Sequence, residues 1–72
     1  MDMLSRHERA IREEVVRLHQ KYADKDLAHN AHGVWLLAGD AARMILRYDY
    51  HPFAITAAKN IVNHYVQLYR AA

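Results

Sequence analysis

Cysteine is absent from the chain, and that one lack removes both disulfides and thiolate metal sites. Hydroxyl nucleophiles are nearly absent too, with Ser5 and Thr56 the sole serine and threonine. Two glycines and one proline leave few turn signals and no low-complexity linker. No uncharged apolar run approaches the roughly 20 residues that cross a bilayer, and the start Met-Asp-Met-Leu-Ser-Arg-His-Glu lacks the layout of a secretory signal. A cytoplasmic protein without a membrane partner is expected.

Charge of one sign is lacking as well. Ten Lys and Arg stand against eight Asp and Glu, a formal net charge of +2. Residues 1–26 hold six basic and six acidic side chains, and residues 27–72 hold four basic and two acidic ones. Nucleic-acid binders concentrate cations on one face, because affinity grows with each phosphate neutralised. No such concentration is present, so a nucleic-acid partner is not expected.

What the chain does have is helical periodicity, in three stretches and no strand pattern. At 72 residues it reads as a single small helical domain over 1–72, burying only about 60% of the surface it exposes when unfolded. Small domains add disulfides, a metal or a second copy of themselves; with thiols gone, self-association is the remedy that remains.

The first helix is predicted over about 5–23. Ser5 and Glu8 fit a capping box, and Ile11, Val15, Leu18 and Tyr22 make a narrow apolar stripe with Val16 alongside. The opposite side, with Arg9, Arg12, Glu13, Arg17 and Lys21, reads as a solvated face.

The second helix is predicted over about 27–48, capped by Asp24 or Asp26, with a kink or a late start near Gly33 as the alternative. Leu27, Ala31, Val34, Ala38, Ala41, Ile45 and Tyr48 form one seam. Trp35, Gly39, Ala42 and Leu46 form a second beside it, and Leu37 with Met44 carries the apolar surface further round. Only Leu36, Asp40, Arg43 and Arg47 share the remaining side. A helix this apolar belongs in an interior, and two short neighbours do not cover it.

The third helix is predicted over about 52–70, starting at Pro52 or Phe53 after the break Tyr48-Asp49-Tyr50-His51. Ala54, Ala58, Ile61, Tyr65 and Leu68 form its inner line, Ile55, Val62, Val66 and Tyr69 a parallel seam, and Thr56, Asn60, Asn63, Gln67 and Arg70 its outer stripe. The short break makes helices two and three an antiparallel hairpin. The expected fold is all-α: this hairpin plus an N-terminal amphipathic helix, assembled as a homodimeric bundle.

Functional signals are sparse. Asp26, His29 and His32, three apart, are weak metal candidates, since the familiar zinc pair is four apart with a glutamate between. His7, His19, His51 and His64 pair with no nucleophile, so no catalytic residues, no metal and no cofactor are assigned. Val34, Trp35, Ala38, Ala41, Ala42 and Ile45 are the expected core or dimer interface. Asp40, Arg43, Arg47, Tyr48 and Tyr50 cluster near the hairpin turn, where arginine and tyrosine suit an interface with a larger protein. The reading is a small, non-enzymatic, homodimeric inhibitor or adaptor, of the accessory type that phages, plasmids and bacterial operons encode, an analogy of size and composition. A helix-turn-helix-like DNA-binding regulator is the alternative, and a small dimeric helical enzyme or metal-binding protein a further one.

Overall fold

In the computed structural model, which describes residues 6–23 and 30–71, the chain forms three helices. They are α1 over Arg6–Lys21, α2 over Ala31–Arg47 and α3 over Pro52–Ala71, with no strand among the described residues. No described helix is long and apolar enough to cross a membrane. The capping residue Ser5, the candidate caps Asp24 and Asp26, and Leu27 and His29 lie outside the described residues.

α1 and α3 turn inward the residues that their periodicity selects. Ile11 and Leu18 are buried on α1 and Tyr22 just past its end, with Val15 half-buried; Ala54, Ala58, Ile61 and Tyr65 are buried on α3 with Leu68 half-buried. Val16, expected beside the α1 stripe, is exposed.

α2 departs from expectation in two ways. It does not run on from residue 27: Asn30 has extended backbone (φ −116°, ψ 133°) and its side chain accepts the His32 N–H at 2.8 Å, an N-cap that starts the helix at Ala31. The start therefore falls two residues before Gly33. It is also rotated. Gly33, Leu37, Ala41 and Met44 are buried, while Val34, Ala38, Ile45 and Tyr48 are only half-buried.

The reason for the rotation is volume and charge together. Leu37 packs with Leu18, Tyr22, Ile61 and Tyr65, and Met44 with Ile11, Ala54 and Ala58, filling two core clusters that Val15 and Val62 join. Ala31, Val34 and Ala38 are too short to span that space. The same turn brings Asp40 and Arg47 against α1.

The hairpin turn is a Schellman motif. Tyr50 N–H donates to Ile45 O at 2.9 Å and Asp49 N–H to Leu46 O at 3.1 Å, closing the end of α2. Asp49 and Tyr50 stand at φ 54° and 60°, in the left-handed region where glycine is cheapest. His51 then caps α3, its Nδ1 accepting the Phe53 N–H at 3.0 Å.

The hub of the chain is α3, not α2. It lies against both other helices, while α1 and α2 touch each other far less. α1 thus covers one face of the α2–α3 hairpin and leaves the other face open.

Candidate functional site

On the polar line of α2, expected to face a partner, Asp40 and Arg47 are engaged with α1, while Arg43 bonds back to Asp40 and stays exposed. Asp40 accepts from the Tyr22 hydroxyl at 2.6 Å and from Lys21 at 3.0 Å, and pairs with Arg43 one turn on. Its side chain is 15% exposed. Burial alone pushes a carboxyl up, but the hydrogen bonds from Tyr22, Lys21 and Arg43 outweigh it and hold Asp40 at about 2. The Tyr22 hydroxyl is pushed up by its burial and then by Asp40.

Arg47 pairs with Glu14, which is 9% exposed. Tyr48 is half-buried, its hydroxyl raised by burial and then by the Glu14 carboxylate. Periodicity alone does not single out Glu14, yet its position carries a signal: it sits between Ile11 and Leu18 on the buried stripe, where a carboxylate needs a cation close by. These bonds close the seam between α1 and α2. Of the turn cluster, Tyr50 remains 60% exposed, and Arg43 and Arg47 stay exposed despite their ion pairs.

The open face of the hairpin is apolar. Trp35, at 76%, is the most exposed large apolar side chain among the described residues, and Leu46 is 59% exposed. Four and seven residues place both on the same side of α2 as Ala42. Beside them Ala42 and Ile45 face Val62, Val66 and Lys59 of α3 across a shallow groove of about 370 Å³. Of the expected interface residues, Ala41 is in the chain's own core, Val34, Ala38 and Ile45 lie at its edge, and Trp35 and Ala42 lie outside it.

Gly39 lies on this side too. Among the described residues a Cβ built there meets only the Arg43 guanidinium nitrogens, at 3.8 Å, and no atom of another helix within 4 Å.

The histidines pair in a way that spacing along one helix does not reveal. The His7 ring lies 6.0 Å from His51 and 6.2 Å from Tyr48. The His19 ring lies 5.6 Å from His64, with its Nδ1 3.3 Å from the Tyr65 hydroxyl. Both pairs join α1 to the hairpin and neither brings a third ligand. No group of three or more His, Asp or Glu suited to a metal ion forms among the described residues. Of the weak metal candidates, Asp26 and His29 lie outside those residues, and His32 is exposed at the start of α2.

Compared with family models, with curated proteins and with solved structures, the chain matches none significantly.

Proposed function

We propose that the chain is a small non-enzymatic regulator that acts by protein–protein contact, and that two copies join through the open face of the α2–α3 hairpin. The observation that carries this is the exposure of Trp35 on a face that continues through Ala42 and Ile45 to Val62 and Val66. Large apolar patches left open on small proteins mark contact surfaces. Covering Trp35 alone is worth on the order of 3 kcal/mol per chain before ordering costs.

The size of the face fits a second hairpin. At 1.5 Å per residue α2 is about 25 Å long, and two packed helices make a face of roughly 500 Å² in projection. A standard interface takes about 800 Å² of accessible surface from each side, so the whole face is needed and a partner of equal length supplies it. Among the described residues Lys59, at the edge, is the one charged residue lining the groove, so two such faces meet with little repulsion.

The polar groups support binding rather than turnover. Asp40, Glu14, Tyr22 and Arg47 are each committed to bonds that hold α1 on the hairpin. Tyr50, exposed and held in left-handed backbone, is a costly choice at a turn that glycine suits, and it marks the turn as a second contact point for a larger partner.

Sedimentation velocity at micromolar concentration tests the assembly. The expected result is twice the 8.4 kDa chain mass, falling to one chain mass in Trp35→Lys with helicity unchanged. Because Trp35 is the only tryptophan, its emission should shift to longer wavelength as the protein is diluted. A wild-type chain that stays monomeric at tens of micromolar removes the proposal.

A further inference from the structure

A second groove runs between α1 and α3, on the flank away from α2, with about 550 Å³ of open volume. Its floor and walls are apolar, from Val15 and Val16 on α1 and Phe53, Ala57 and Ile61 on α3. Val16 is 54% exposed there, although a stripe one residue narrower would serve the chain's own core. Of the polar residues around the groove, Thr56, Asn60, His19 and His64 are uncharged and Arg12 is the one fixed charge, with no carboxylate among the described lining residues. Arg12 lies over the Phe53 ring at 5.9 Å, which fixes its guanidinium at the rim, and it has no carboxylate partner among the described residues.

We infer that this groove binds an acidic amphipathic helix of a partner protein, with its apolar stripe against Val16 and Ala57 and its carboxylates toward Arg12. The helix is selected over an extended strand by backbone accounting. The groove floor offers no free backbone groups to pair with, and a strand laid there would bury unpaired N–H and C=O groups, whereas a helix satisfies its own. From Phe53 to His64 the groove runs about 16 Å, three helical turns, so the occupant carries apolar anchors at i, i+4 and i+7. Acid beside those anchors follows from Arg12, the one fixed charge among the described lining residues, because a cation at the rim is matched by an acid-bearing partner. This groove is separate from the open face of the hairpin, so it is available in one chain or in a pair.

A displayed library of randomised helical peptides, about 14 residues each at ~1.5 Å per residue, tests this without knowledge of the natural partner. Selection on the full chain should enrich apolar residues at i, i+4 and i+7 with Asp or Glu beside them. A selected peptide should bind Val16→Asp and Arg12→Glu roughly tenfold more weakly or worse, and bind Trp35→Lys as it binds wild type. Replacing its acids by lysine should restore binding to Arg12→Glu and abolish binding to wild type. Both variants change exposed side chains, and circular dichroism checks that each folds. No enriched binder, enrichment without acids, or peptides lost with Trp35→Lys but kept by Val16→Asp would each overturn the inference. So would a concentration-dependent dimer that Val16→Asp dissolves and Trp35→Lys does not, since the groove would then hold a second copy. Failure of self-association at the hairpin face is read separately, from mass alone.

Discussion

Asp40 shows how much a single residue contributes in a chain this small. With an ordinary value of 3.8 and about 2 in the fold, its ionised form is favoured by folding. As pH falls the unfolded chain takes up the proton first, so the contribution is complete above about pH 5 and gone once pH drops through 2. The difference is worth about 2 kcal/mol. Urea unfolding followed between pH 5 and 2 should show that loss in wild type and a much flatter profile in Asp40→Asn. Equal slopes in the two proteins would show that the seam does not stabilise the fold. Tyr22→Phe should cost about 1–2 kcal/mol at neutral pH, since it leaves the carboxylate one donor short. That Asp40, Arg43 and Arg47 share one side of α2 was legible from spacing. That they meet Tyr22, Lys21 and Glu14 was not, because periodicity fixes which residues share a side and says nothing of which neighbour that side meets.

Among the elements, the inward lines of α1 and α3 were legible, Glu14 and Val16 apart, and that of α2 was not. A stripe with one apolar side has only one way to turn inward, which is why Ile11, Leu18 and Tyr22, and Ala54, Ala58 and Ile61, lie where their spacing put them. A helix apolar over most of its circumference has several, and the choice falls to side-chain volume, which favoured Leu37 and Met44 over Ala38 and Val34. Element ends carry their own test. Asp49 occupies the left-handed position that closes α2, so Asp49→Gly should raise stability by about 0.5–1 kcal/mol, read as a higher midpoint in thermal unfolding. At the other end, Asn30→Ala should lower it by about 1 kcal/mol through loss of the bond to the His32 N–H. If the glycine variant is no more stable than wild type, the turn is held by contacts other than its backbone.

For the molecule as a whole, the question is whether the uncovered face of the hairpin is covered in solution, and Gly39 separates the answers. Within one chain a methyl at Gly39 meets nothing closer than the Arg43 nitrogens at 3.8 Å, an ordinary contact with the end of a flexible side chain. Alanine in place of glycine inside a helix is favourable by about 1 kcal/mol, so a chain that works alone should simply become more stable. A chain whose partner helix lies close over Gly39, beside Trp35 and Ala42, should respond in two opposed directions. Gly39→Ala would stabilise each chain and, by filling the space that lets two backbones approach, weaken their association. Thermal unfolding over a dilution series distinguishes these outcomes, because the midpoint of a dimer falls on dilution and that of a monomer does not. The expected result is a variant with a higher midpoint than wild type at high dilution and a smaller concentration dependence. A variant uniformly more stable at every concentration, with the concentration dependence of wild type intact, would place the contact between copies away from Gly39 and return that stretch of α2 to solvent.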